Sequence, residues 1–421
     1  MKRYYLIGQH LGHSCSPDIH RAFGRYEYEL WELAPDALDA FLRAGDFAGL
    51  NVTMPYKQAV LPALDRLDPA AAAIGAVNTV VNRDGILWGY NTDYGGLRAC
   101  LERLLPAQAG GRPLLAGKAV LILGTGGTSR TAAAVCKALG AERIQKLSRT
   151  GKDGALRYSD LPDCGADAAL LINCSPAGMW PEPERCPLDP AALPALEAVF
   201  DCVYNPLRTR LVLAARALGI PAAGGLEMLV RQAALACALF TQRPVSEEEL
   251  SAVHAALLRQ RENLVLIGMP GAGKTTLGRL LARKTGMEWI DLDEALVRRC
   301  GTSIPELFAR FGERGFRDRE SALVRELART GGRIIAAGGG TVLRAENCIA
   351  LKQNGRLILL DRPPDALRPS PERPLGDTAE KLAALYQARS PIYAAAADLT
   401  IPNRGSPEEA ADAILEAVQR G

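Results

Sequence analysis

Gly268-Met269-Pro270-Gly271-Ala272-Gly273-Lys274-Thr275 follows the apolar run Leu264–Ile267 and opens a helical pattern over Thr276–Lys284. The spacing G-x-x-x-x-G-K-[ST] between a strand and a helix marks a phosphate-binding loop. Its glycines let backbone amides close around phosphate oxygens at a helix N-terminus, its lysine adds charge, and its threonine hydroxyl can ligate Mg²⁺. The spacing therefore assigns Gly271, Ala272, Gly273, Lys274, Thr275 and Thr276 to a nucleotide triphosphate, and Thr275 also to the metal. Downstream, Asp291-Leu292-Asp293 ends a strand expected over Met287–Leu292, where a period of two puts both carboxylates on one side of the chain. One of them can reach the metal and the other an acceptor hydroxyl; an N-cap plus a solvated acid is the alternative.

Outward from that loop, apolar runs at Tyr4–Gly8, Gly49–Thr53, Ala119–Leu123, Ala168–Cys174, Val199–Val203 and Arg356–Leu360 alternate with helical patterns. Such alternation predicts an α/β chain with largely parallel sheets. A second glycine-rich turn, Gly124-Thr125-Gly126-Gly127-Thr128-Ser129, lies between the strand Ala119–Leu123 and the helix expected over Thr131–Leu139, with Ser129 in place of the third glycine of the dinucleotide fingerprint. An NAD site places an acid about 20 residues further on. Here stand Ser148, Arg149 and Thr150, whose guanidinium and hydroxyls suit a ribose 2′-phosphate, so NADPH is expected on Gly124, Gly126, Gly127, Ser148, Arg149 and Thr150. Tyr26-Glu27-Tyr28-Glu29 alternates and reads as an edge or half-buried strand.

The 421 residues imply two or three domains, and the Gly/Pro-rich stretch Pro106–Gly117 and the polar helix Ser246–Gln260 are the expected boundaries. Basic and acidic residues number 50 and 47, split 26 and 26 up to Gln260 and 24 and 21 beyond it, so neither part has the excess of a nucleic-acid or membrane-surface binder. The longest charge-free runs, such as Ala168–Pro181, contain Asn, Pro and Gly and fall short of the ~20 apolar residues of a spanning helix. Four apolar residues between Arg3 and Gly8 are too few for a signal-peptide core. Ten cysteines without a Cys-x-x-Cys read as reduced thiols in a cytoplasmic chain. His13, His20 and His254 form no triad or metal set and are assigned to packing or capping.

From Asn263 to Gly421 the chain resembles shikimate kinase, through the phosphate loop, Asp291 and Asp293, Phe316-Arg317, Gly338-Gly339-Gly340, Glu372-Arg373-Pro374-Leu375 and Arg389. The resemblance implies ATP and Mg²⁺ as ligands, Lys274 and Asp293 in catalysis, and Asp291 beside Thr275 at the metal. It further implies Arg317 and Arg389 on the shikimate carboxylate, Gly339 against the ring, and Arg373 as a lid arginine over ATP.

Residues 1–255 resemble shikimate dehydrogenase, on His13-Ser14-Cys15-Ser16-Pro17, Asn51-Val52-Thr53-Met54-Pro55-Tyr56-Lys57, Gly75-Ala76-Val77-Asn78-Thr79 and Asn91-Thr92-Asp93. Later stretches agree: Asn173-Cys174-Ser175-Pro176-Ala177-Gly178-Met179, Asp201-Cys202-Val203-Tyr204-Asn205-Pro206, and Gly225-Leu226-Glu227-Met228-Leu229 with Gln232. The resemblance implies that Lys57 and Asp93 are the catalytic pair and that Ser14, Ser16, Thr53, Asn78, Tyr204 and Gln232 contact the substrate. Only 10 of the 50 basic residues are lysines, which sets Lys57 and Lys274 apart; an ammonium held by a carboxylate can donate a proton to a carbonyl receiving hydride. Arg21, Tyr94 and Ser148 stand where this family usually has Asn, Gly and Asn.

The expected architecture is α/β: a two-domain dehydrogenase with a Rossmann-type NADP domain, followed by a P-loop kinase domain of the nucleoside-monophosphate-kinase type. Residues 1–105, completed by helices in 225–258, form the substrate domain, 106–224 the NADP domain and 262–421 the kinase. The function expected is NADPH-dependent reduction of 3-dehydroshikimate followed by ATP- and Mg²⁺-dependent phosphorylation of shikimate, with small-molecule substrates and neither nucleic acid nor membrane as partner. An NAD-dependent quinate/shikimate dehydrogenase is the rival that an acid in place of Arg149 would favour. A metabolite-sensing regulator is the other rival, opposed by intact Lys57, Asp93, Lys274, Asp293 and Arg317.

Overall fold

The computed structural model describes residues 3–12, 14–152, 154–161, 165–367 and 378–420. It comprises two compact units, Met1–Leu257 and Leu258–Gly421.

The first unit begins with β1 (Tyr4–Gly8), α1 (Ser16–Phe23), β2 (Glu29–Glu32), α2 (Leu38–Ala44), β3 (Gly49–Val52), β4 (Arg66–Leu67), α3 (Pro69–Ile74), β5 (Thr79–Arg83), β6 (Ile86–Tyr90) and α4 (Thr92–Leu104). The six strands form one sheet in the order β2-β1-β3-β5-β6-β4. β1 runs parallel to β2 and β3, and β5 is antiparallel to both its neighbours, the exception within the largely parallel sheets expected. The β5–β6 reversal is local: Asp84 and Gly85 take φ of 53° and 84°, as a two-residue mirror-image hairpin turn requires, and such a turn sends β6 straight back along β5. The strand expected over Tyr26–Glu29 starts only at Glu29. Tyr28 turns inward instead, its ring stacked 3.9 Å from that of His20 and its hydroxyl donating to Asn51 at 2.7 Å.

The chain continues through β7 (Ala119–Leu123), α5 (Gly127–Ala138), β8 (Arg143–Ser148), β9 (Leu156–Arg157), β10 (Ala168–Asn173), β11 (Ala198–Asp201), α6 (Arg210–Ala217), β12 (Ala222–Ala223), α7 (Leu226–Thr241) and α8 (Glu247–Arg261). Its strands are all parallel, in the order β12-β11-β10-β7-β8-β9. Both faces are covered, so the central strands are apolar throughout: Val120, Ile122, Leu170, Ile172 and Phe200 enter one core, and Leu121, Leu123, Leu171 and Val199 the other. α7 then returns to the first sheet, where Val230 and Ala233 pack with Ile19 and Phe23, and Ala236 and Phe240 with Tyr4 and Leu6.

The second unit contains β13 (Asn263–Ile267), α9 (Lys274–Thr285), β14 (Glu288–Asp291), α10 (Leu292–Cys300), α11 (Ile304–Leu327), β15 (Arg333–Ala336), α12 (Ala345–Asn354), β16 (Gly355–Asp361), α13 (Ala379–Ala396), β17 (Leu399–Pro402) and α14 (Pro407–Arg420). Its parallel sheet has the order β14-β15-β13-β16-β17, with the wholly buried β13 at its centre. β14 stops at Asp291, and α10 starts at the next residue. Strand alternation therefore does not align the two carboxylates. Asp291 is the N-cap of α10, its Oδ1 accepting from the amides of Asp293 at 3.1 Å and Glu294 at 3.3 Å. Among the described residues no helix is long and apolar enough to cross a membrane.

Candidate active sites

Lys57 Nζ lies 2.5 Å from Asp93 Oδ2, with the two side chains 17% and 10% exposed. Burial this deep separates the pair from an ordinary surface ion pair, which water and salt would screen. Asp93 sits in the first turn of α4, where the helix N-terminus favours a carboxylate, and the turn is capped by Asn91, whose Oδ1 accepts from the Tyr94 amide at 3.1 Å. The pair opens into a cavity of about 410 Å³ that Ser14, Ser16, Thr53, Asn78, Tyr204 and Gln232 also line. Asn78 is held from two sides: its Oδ1 accepts from the Thr92 amide at 2.7 Å, and its Nδ2 donates to Thr92 Oγ1 at 2.9 Å. The sequence-assigned substrate residues of this half thus converge on one cavity.

The glycine turn after β7 meets the same cavity. Thr128 lines it, and a side chain on Gly127 would start 3.5 Å from Lys57 Cδ. Gly124 takes φ 107°, with the Cys174 and Ser175 backbone 3.3–3.4 Å from where its side chain would begin, while Gly126 has nothing within 4 Å of that point. A tight turn with open space above the first turn of α5 fits a dinucleotide pyrophosphate. Ser148 closes the loop after β8, its Oγ accepting from the Gly151 amide at 3.0 Å, and Arg149 and Thr150 are exposed beside it. A wider cleft of about 960 Å³ runs along α5 past Thr125, Arg130, Lys137 and Lys146, and neither Lys57 nor Asp93 lines it.

In the second unit a cleft of about 440 Å³ is lined by Gly271, Gly273, Lys274, Thr275, Thr276, Asp291, Asp293 and Gly339. Gly268, Gly271 and Gly273 take φ of 137°, 82° and 95°, a region that a side chain would strain. Lys274 Nζ donates to the carbonyls of Gly268 at 2.9 Å and Met269 at 3.0 Å, which holds the loop around an open centre. Thr275 Oγ1 donates to Asp291 Oδ2 at 3.0 Å, so a hydroxyl and a carboxylate oxygen meet where a hard cation would take both; this donor set fits Mg²⁺. Burial, and then the charges of Asp291 and Glu320, push the Asp293 carboxyl up to about 6, against the opposing pull of Lys274 and Arg317.

Arg317 and Arg389 stand one step behind this cleft. Arg317 Nη1 donates to the buried Glu320 at 2.8 Å, and its guanidinium lies so close to Gly340 that a side chain there would overlap it. Arg389 Nη1 donates to the Gly339 carbonyl at 3.0 Å. The glycine run after β15 is thus gripped by the two arginines assigned to the substrate carboxylate. Arg373 and His13 lie outside the described residues.

Other residues of the two sites were given no role from sequence, although Asp201 and Cys202 stand in a quoted stretch. Trp180 and Cys202 line the first cavity, and the buried Asp201 anchors the loop that carries Tyr204, accepting from Thr209 Oγ1 at 2.6 Å and Asn173 Nδ2 at 2.9 Å. Burial outweighs those hydrogen bonds and raises the Asp201 carboxyl to about 6. Glu320 was within reach of sequence, lying three residues beyond Arg317 in a helical pattern.

Comparison with known proteins assigns both halves. A family model described as the shikimate dehydrogenase substrate binding domain matches residues 6–80, and one described as shikimate kinase matches residues 270–419. The shikimate dehydrogenase (NADP(+)) of Moorella thermoacetica is 39% identical over 295 residues, covering 64% of this chain and 96% of the relative. That of Symbiobacterium thermophilum is 37% identical over 259 residues, covering 55% and 86%. Among solved structures, shikimate 5-dehydrogenase of Thermus thermophilus in complex with NADP(H) and shikimate superposes with a TM-score of 0.53 at 32% identity, over 61% of this chain and 99% of that one. Quinate dehydrogenase of Corynebacterium glutamicum in complex with NAD gives 0.51 at 30% identity, over 61% and 98%.

Proposed function

The chain belongs to the shikimate dehydrogenase family and carries a shikimate kinase domain behind it, and from that premise we propose which residues carry each reaction. It is a bifunctional enzyme of the shikimate pathway that uses NADPH, ATP and Mg²⁺. In the first half the substrate is 3-dehydroshikimate, held by Ser14, Ser16, Thr53, Asn78, Tyr204 and Gln232. Bound NADPH supplies the hydride. Lys57 gives its Nζ proton to the carbonyl oxygen as that oxygen gains negative charge, and Asp93 keeps the ammonium aimed and charged. Gly124, Gly126 and Gly127 receive the pyrophosphate, and Arg149, with Ser148 and Thr150, the 2′-phosphate.

In the second half, Asp293 accepts the proton of the attacking shikimate hydroxyl, and Lys274 with the loop amides neutralises charge on the transferring phosphoryl group. Thr275 and Asp291 hold the Mg²⁺. Arg317 and Arg389 bind the shikimate carboxylate, and Gly339 approaches the ring. A cytoplasmic setting is supported by the described cysteines, all of them thiols.

The observation that carries this reading is the Lys57–Asp93 contact inside the cavity. Lys57→Ala lowers kcat of the dehydrogenase by about 10²–10⁴, with little change in the Michaelis constant for 3-dehydroshikimate. Combined with Asp93→Asn, the loss is much less than the product of the two single losses, because a broken relay cannot be broken again. A raised Michaelis constant with kcat preserved would make Lys57 a binding residue only.

A further inference from the structure

Arg362 stands immediately after β16, whose last residue, Asp361, pairs with Pro402 at the end of β17. That position sets Arg362 beside Asn403, and together the two flank the phosphate loop. Asn403 Nδ2 donates to the Ala272 carbonyl at 2.7 Å, and Arg362 Nη1 lies 3.9 Å from where a side chain on Gly273 would begin. Arg362 lines the same cleft as Lys274, Thr275 and Asp291. Its Nε is buried without a hydrogen-bond partner among the described residues. A buried guanidinium N–H left unmet is costly, and such a group in a working site is commonly met by the ligand.

Charge points the same way. The described residues lining the cleft carry two cations, Lys274 and Arg362, against two carboxylates, Asp291 and Asp293. Without Arg362, Lys274 would face both those acids and a polyanionic triphosphate alone. The planar fork of an arginine can take two phosphate oxygens at once, which an ammonium cannot.

We propose that Arg362 is a triphosphate-binding residue of the kinase half, closing the strand-end side of the phosphate loop opposite Lys274. The proposal rests on the reading of this cleft as the ATP site, and the test separates the two. In the full-length chain, Arg362→Gln raises the Michaelis constant for ATP at least tenfold and leaves that for shikimate within twofold. Arg362→Lys falls between, because it keeps the charge and loses the fork. Inorganic tripolyphosphate, as a competitive inhibitor, weakens in parallel with ATP, while inhibition by adenosine is unchanged.

Unaltered ATP and tripolyphosphate constants in Arg362→Gln would overturn the proposal. Weakened adenosine with unchanged tripolyphosphate would do so too, by moving the contact to the base. If Arg362→Gln unfolds the second unit, Arg362→Lys supplies the same comparison. Failure of the wild-type chain to phosphorylate shikimate would remove the site reading itself; equilibrium dialysis of ATP against wild type and Arg362→Lys would then still decide whether Arg362 holds triphosphate.

Discussion

The proposed choice between two dinucleotides rests on one guanidinium, that of Arg149. It is exposed at the start of the loop after β8, where it can meet a 2′-phosphate and where an NAD enzyme would instead place an acid for the ribose hydroxyl. Arg149→Asp removes the partner and adds repulsion, so the Michaelis constant for NADPH rises by one to two orders of magnitude while that for NADH changes little or falls. Parallel titrations of the two cofactors check this, and equal losses for both would take the 2′-phosphate away from Arg149. In the kinase half, the raised Asp293 carboxyl, at about 6, fixes the direction of a pH effect. A base must be ionised to accept a proton, and a raised value means that Asp293 is already half protonated near pH 6. Kinase kcat/KM therefore falls about tenfold per unit below pH 6, where an ordinary aspartate would hold the rate level to about pH 4. A flat profile between pH 7 and 5 would remove Asp293 from the role of base.

Among the elements, those closed by short-range chemistry were legible in sequence and those closed by distant partners were not. The strand, glycine loop and helix of Asn263–Thr285 lie within one stretch, so spacing alone located them. Asp291 and Asp293 were found as a pair, but the corner that joins them is an N-cap, because the Asp291 side chain bonds the helix amides more readily than it continues a strand. The β5–β6 hairpin had its signal in Asp84-Gly85, which alternating apolar runs obscured. Arg317 was found by its motif, while its grip on Gly340 depends on a glycine run that follows a different strand, β15. That packing sharpens a prediction. Arg317→Lys and Arg389→Lys each keep a charge and lose the fork, so each raises the shikimate Michaelis constant at least tenfold, at roughly 1.5–3 kcal/mol per charged hydrogen bond lost. The constant for ATP stays nearly unchanged in both variants. Substrate titrations check the split; if Arg317→Lys disturbs ATP more than shikimate, the carboxylate is held elsewhere.

For the molecule as a whole, both parallel sheets followed from alternating apolar runs, and each places its nucleotide loop at the carboxyl end of a central strand, β7 in one unit and β13 in the other. The return of α7 to the first sheet could be anticipated only from the family resemblance, since its apolar positions do not reveal which sheet they cover. What unites the two units is chemical: the product of the first reaction is the substrate of the second. The most direct measurement supplies the purified full-length chain with 3-dehydroshikimate, NADPH, ATP and Mg²⁺, and quantifies shikimate and its phosphate together, for the wild type, Lys57→Ala and Lys274→Ala. The wild type forms the phosphate from 3-dehydroshikimate. Lys274→Ala accumulates shikimate, and Lys57→Ala makes little of either product yet still phosphorylates added shikimate. Shikimate phosphate formed from 3-dehydroshikimate at the wild-type rate by either variant, or none formed by the wild type, would contradict the assignment of two consecutive reactions to these two sites.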